Sequence, residues 1–153
     1  MSPKKRKKIR KSGNNDEEEV KKLLSDYSNI ILKLKRLGVL KTSRILSDVG
    51  AYFVCNKMGL TRANNPVNMG YNAVDNKGLK YEIKTRKTIT GDKPTVFTIM
   101  EGQLKHSDYL IYVEFDHLWN MERLLKIPSN KVKPNLYNRV RITKALVEKY
   151  GVL

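Results

Sequence analysis

The sequence predicts an α/β (α+β) domain, a mixed central sheet flanked by helices, behind a basic disordered N-terminal tail. Three observations predict it. Apolar residues recur at helical spacing as far as about residue 58, then at a period of two from residue 71 onward. The elements run helix, helix, hairpin, further strands, helix. The length, 153 residues with 40% hydrophobic, suits one domain with one modest core.

The tail comes first. Residues 1–15 carry Lys and Arg that repel one another, followed by SGNN, which has nothing to bury. PKKRKK suits nuclear targeting and a grip on phosphates equally. Residues 16–153 are read as a single domain. A helix is expected over 16–38, capped by Asn15 with Glu18 behind it and ended by Gly38. Val20, Leu23, Leu24, Tyr27, Ile30, Ile31, Leu34 and Leu37 form its stripe, which suits its own sheet or a second copy in a homodimer. A second helix is expected over 43–58, burying Ile45, Leu46, Val49, Tyr52 and Phe53. Gly50 in its middle costs about 1 kcal/mol relative to Ala and so signals close packing, most simply against a sheet. Cys55 reads as a small core residue.

The sheet spans 70–128. Residues 71–74 and 79–84 read as a hairpin, and 96–100, 109–115 and 121–127 as strands, the last two joined by the turn DHLWN. Thr143 caps a final helix over 143–151.

Charge points to the partner. The chain holds 31 Lys+Arg against 15 Asp+Glu, a net +16. Residues 1–12 contribute seven basic groups and no acid, which leaves the rest at +9. A basic body behind a basic tail favours a polyanion: duplex DNA first, RNA second. No apolar run reaches the ~20 residues of a membrane span. No apolar segment follows the N-terminal charges, so no secretory leader is expected and the reading is intracellular: cytoplasm or nucleoid in a prokaryote, nucleus otherwise. One cysteine and two histidines exclude a disulfide framework and Cys- or His-rich metal sites.

The chemistry lies in GYNAVDNKGLKYEIKTRK, residues 70–87. Asn76-Lys77-Gly78 fits a three-residue hairpin loop with glycine in the left-handed region, and Asp75 opens the turn. In that register paired residue numbers sum to 154. Tyr71, Ala73, Tyr81 and Ile83 then share an apolar face, while Asn72 stands opposite Glu82 with Lys84 on the same polar face. Tyr52, Tyr71 and Tyr81 are read as core. A carboxylate such as Glu82 can hold Mg²⁺, and an ammonium two residues on can orient water and offset phosphate charge.

These residues resemble the PD-(D/E)xK nuclease superfamily, whose motif is an acid on one hairpin strand and Asp/Glu-x-Lys on the next. The likeness is closer to a group of prokaryotic domains with helix Gly-Glu, Gly-Tyr-Asp-Ala, a hairpin glycine and Glu/Gln-Ile-Lys. It covers roughly residues 45–130, including SDYLIYVEFDHLWNMERLLKIP as two later core strands. It implies a restriction-endonuclease-like fold, Mg²⁺, and a site of Glu82 (metal), Lys84 (water) and Asn72. The chain departs from the pattern twice: Ala51 stands for the helix Glu and Asn72 for the hairpin Asp. Asp48, one helical turn before Ala51, and Asp75, as a metal ligand, are the candidate replacements, although Asp75 suits the turn better. Nucleic-acid contacts are expected from Lys4, Lys5, Arg6, Lys7, Lys8, Arg10 and Lys11 in the tail. Around the hairpin they are expected from Arg62, Lys77, Lys80, Arg86, Lys87 and Lys93. With two acids missing, the expectation is a DNA-binding protein of nuclease fold with a degenerate or weak catalytic site. The alternatives are an active Mg²⁺-dependent DNA endonuclease and a basic RNA-binding protein.

Overall fold

The structure is a computed structural model and describes residues 14–64, 70–88 and 96–153, the side chains of Asn14 and Asn15 excepted. The tail and its seven basic residues, and Lys93, lie outside the described residues. The chain divides between Val39 and Leu40 into two units. The first contains helix α1 (Asn14–Arg36). Helix α1 begins ahead of Asn15, which therefore lies in the first turn instead of capping it, while Gly38 ends the helix as expected, at φ +72° with its amide donating to the Lys35 carbonyl (3.0 Å) and the Val39 amide to the Leu34 carbonyl (3.0 Å). Its Asp16 and Glu17 sit near the positive N-terminus and Lys33, Lys35 and Arg36 near the negative end, as the helix dipole favours. Val20, Leu23, Leu24, Tyr27 and Ile30 are exposed on it.

The second unit is mixed α and β. Its elements are α2 (Ile45–Met58), β1 (Thr61–Arg62), β2 (Ala73–Val74), β3 (Lys80–Lys87), β4 (Val96–Thr98), α3 (Glu101–Lys105), β5 (Tyr109–Phe115), β6 (Met121–Pro128), β7 (Arg139–Arg141) and α4 (Lys144–Tyr150). A five-stranded sheet runs in the order β1-β2-β3-β5-β6, and β4 and β7 pair separately. β3 and β5 are parallel and the other pairs antiparallel, so the sheet is mixed. Residues 96–98 were expected in the central sheet, but they pair with β7 instead. Among the described residues no helix is long and apolar enough to cross a membrane.

β5 is the keel. Ile111, Val113 and Phe115 face one cluster with Ala51, Val54, Cys55, Tyr81 and Ile83, while Leu110 and Tyr112 face another with Phe97, Ile99, Leu125, Val140 and Ile142. Alternating side chains of one strand thus bury both faces of the sheet. α2 covers the first face, and the β4–β7 pair covers the second.

The buried face of α2 differs from the apolar stripe of its sequence. Asp48, Val49, Gly50, Ala51, Val54 and Cys55 are buried, whereas Leu46 and Phe53 are exposed and Tyr52 half-buried. The reason is close approach: a Cβ on Gly50 would overlap the side chain of Thr85 on β3, so the helix turns its small residues to the sheet. Cys55 is buried and free, and burial pushes its thiol up to about 11, as befits a core residue.

The hairpin register is as expected: Ala73 pairs with Tyr81 and Val74 with Lys80. The Gly78 amide donates to the Asp75 carbonyl (3.1 Å) with Gly78 at φ +79°, the left-handed loop position. Tyr71 departs from the core reading. β2 begins only at Ala73, and Tyr71, ahead of it, is half-buried with the Lys80 ammonium 5.0 Å from its ring centre. Thr143 caps α4 as expected, its hydroxyl accepting from the Leu146 amide (3.2 Å).

Candidate functional site: a cleft at the edge of β3

β2 pairs only the first two residues of β3. At Asn72 the partner strand leaves, and the Asn72 side chain stands in for the missing backbone: its Oδ1 accepts from the Ile83 amide at 2.5 Å. Beyond that bond a cleft of about 400 Å³ opens along β3. Asp48 and Ala51 of α2, Arg62 of β1, Asn72, Glu82 and Lys84 line it, together with Gln103 and His106.

Glu82 is the buried acid of the cleft, 4% exposed. Its Oε1 takes the Lys84 ammonium at 3.2 Å and the Gln103 Nε2 amide at 2.8 Å. The Lys84 Nζ also donates to Gln103 Oε1 at 3.0 Å. Burial pushes the Glu82 carboxyl above the ordinary carboxylate range, and the charge and hydrogen bond of Lys84 pull back against it. Period-two alternation places Glu82 and Lys84 side by side, as the sequence requires.

Asp48 is the second buried acid. Its Oδ2 accepts from the Lys41 amide (2.9 Å), the Thr42 amide (2.6 Å) and the Thr42 hydroxyl (3.1 Å), and its Oδ1 from Arg62 at 2.9 Å. It ties the loop before α2 to β1. Arg62, expected to contact phosphate, is held in this ion pair, its side chain 10% exposed.

Asp75 stands apart from the cleft. Its Oδ1 accepts from the Lys77 and Leu79 amides (both 2.9 Å) and its Oδ2 from the Tyr81 hydroxyl (3.1 Å). Desolvation raises its pKa, but these bonds and the Lys77 charge outweigh it, and the carboxyl sits below its usual value. It is a turn residue. Burial first, then Asp75, pushes the Tyr81 hydroxyl up to about 12.

The remaining hairpin cations are spread along β3. Lys77 and Lys80 are exposed at its start and Arg86 is exposed near its end. The Lys87 ammonium lies 4.2 Å from the Trp119 ring centre. Gln103, which joins both members of the Glu82–Lys84 pair, was missed in the sequence. A lone glutamine on a five-residue helix has no spacing to betray it, and Met100, at its N-cap, is not a residue that usually signals a capping box.

The cleft offers Mg²⁺ few protein oxygens that are not already engaged. A hard cation takes several oxygen ligands. Asp48 is filled by its own bonds and the Asn72 oxygen is spent on Ile83. Ala51 lines the cleft without an acid, which leaves one oxygen of Glu82. Among the described residues no three His, Cys, Asp or Glu gather in one place. No protein-family model matches the chain, and no curated protein matches it either.

Proposed function

We propose that the chain is a DNA-binding protein on a restriction-endonuclease-like scaffold of the PD-(D/E)xK kind, with a degenerate catalytic site. The observation that carries this reading is the arrangement at β3. An acid and a lysine two residues apart flank a cleft at the edge of the strand, with a helix alongside, and Ala51 and Asn72, which the resemblance sets in place of two further acids, line the same cleft. Lys84 and Arg44 line the cleft as cations for a phosphate, and Lys77, Lys80 and Arg86 extend positive charge along the strand. The net charge of +16 supports a polyanionic partner.

The test is fluorescence anisotropy with duplex DNA and with structured RNA across a salt series. The expected outcome is tighter binding to the duplex, with log K falling by about 0.9 per phosphate contact for each unit of log salt. Deleting residues 1–12 should weaken binding and flatten that slope. Preference for structured RNA, or no binding to duplex at low salt, overturns the DNA reading. Nicking of supercoiled plasmid by the unaltered protein with Mg²⁺, absent with chelator, selects the active endonuclease.

A further inference from the structure

We infer that Gln103 is the positioning residue of the cleft: its carboxamide locks Glu82 and Lys84 together at one carboxylate oxygen and leaves the other oxygen open. The bonds form a closed ring. Gln103 Nε2 donates to Glu82 Oε1 (2.8 Å), Lys84 Nζ lies 3.2 Å from that same oxygen, and Lys84 Nζ donates back to Gln103 Oε1 (3.0 Å). Gln103 Oε1 also accepts from the Met100 amide at 2.9 Å, so the start of α3 and the pair share one anchor. The ring closes on Oε1 and does not include Glu82 Oε2, and Glu82, 4% exposed, lines the cleft.

A carboxamide suits this place for a chemical reason. It offers a donor to the carboxylate and an acceptor to the ammonium from one planar group. Glutamate supplies no donor, leucine supplies neither, and asparagine is one methylene short. An incoming cation thus meets a single oxygen with an ammonium held beside it. An incoming phosphate meets that ammonium already aimed. This inference rests on reading Glu82 and Lys84 as the site pair, and its experiment contains no nucleic acid, so it fails or holds apart from the DNA reading.

The experiment follows the Lys84 ammonium by ¹⁵N NMR and Mn²⁺ binding by water-proton relaxation in the full chain and in Gln103→Leu and Gln103→Glu. In Gln103→Leu the ammonium loses an acceptor, and its hydrogens should exchange with water about tenfold faster. Gln103→Glu keeps the acceptor for Lys84 and for the Met100 amide, so slow exchange should persist. It also sets a second carboxylate against Glu82, and Mn²⁺ affinity should rise about tenfold or more. Unchanged exchange in folded Gln103→Leu overturns the inference. Because Gln103→Glu preserves the Met100 bond, it tests the same claim should the leucine variant not fold: fast exchange or unchanged Mn²⁺ affinity there overturns it as well.

Discussion

Asp48 and Glu82 line one cleft, are equally buried at 4% exposure, and each faces a cation. Their remaining bonds differ. Both oxygens of Asp48 are engaged, by Arg62 on one side and by two amides and a hydroxyl on the other. Glu82 is engaged at one oxygen only, by side chains alone. A carboxylate that satisfies backbone amides is part of the framework, because its removal leaves buried donors unpaired. A carboxylate held by two side chains with one oxygen free can exchange those partners for a ligand. Burial and a nearby cation therefore do not identify a site. The disposition of the second oxygen does.

The largest test of this contrast is Asp48→Ala. It strips the carboxylate from Arg62 and from the Lys41 and Thr42 amides, and should cost about 3–5 kcal/mol in urea denaturation. Adding Arg62→Ala should recover part of the loss, since the buried charge goes too. A cost for Asp48→Ala no larger than that for Glu82→Ala erases the distinction between the pairs.

Next in size is a gain of chemistry at the open pair. Asn72→Asp keeps an oxygen for the Ile83 amide and supplies a second anionic oxygen to the cleft, and Ala51→Glu supplies a third acid. Asn72→Asp, alone or with Ala51→Glu, should create or raise Mg²⁺-dependent plasmid nicking by about tenfold or more. Glu82→Ala in that background should abolish the gain without unfolding the chain. Cleavage by the unaltered protein that is lost on Asp75→Ala but kept on Asn72→Ala would move the ligand to Asp75. Its three bonds within the turn argue against that outcome.

The open pair was legible in the sequence and the filled pair was not. Strict alternation and the loop glycine fix the register of the hairpin, and with it the adjacency of Asn72, Glu82 and Lys84. Asp48 gave no such sign. Its role depends on Arg62, brought near by the two-residue strand β1, which is too short to leave a periodic trace. β7 and α3 were illegible for the same reason, and Gln103 was lost with α3. The face of α2 was misread because apolarity was taken as the guide to burial. There the tight fit of Gly50 against Thr85 decides, and it buries an aspartate while leaving Leu46 and Phe53 exposed.

The smallest effect is the dependence of stability on pH at Glu82. Burial raises its carboxyl in the folded chain above the ordinary value of 4.5, with Lys84 opposing. Between the unfolded and the raised folded pKa the native state therefore binds more protons than the unfolded state. Stability falls across that interval as pH rises. The contribution is fully present below about 4.5 and is lost as pH climbs through the folded value. Each tenfold difference in proton affinity between the two states is worth about 1.4 kcal/mol. Glu82→Gln keeps a carbonyl oxygen for Lys84 or Gln103 and removes the titration. The stability of the wild type relative to this variant should therefore decline from pH 4 to pH 7 in urea midpoints. Asp75 works in the opposite sense, its lowered carboxyl stabilising the fold above 3.8 and ceasing to do so as pH falls through the folded value. Measuring Glu82→Gln against the wild type cancels that background, because Asp75 is present in both. A flat difference would mean that the open oxygen of Glu82 is as well solvated in the folded chain as in the unfolded one. A rising difference would mean that Lys84 and Gln103 bind the carboxylate more tightly than burial penalises it, and Glu82 would then belong with Asp48 as part of the framework.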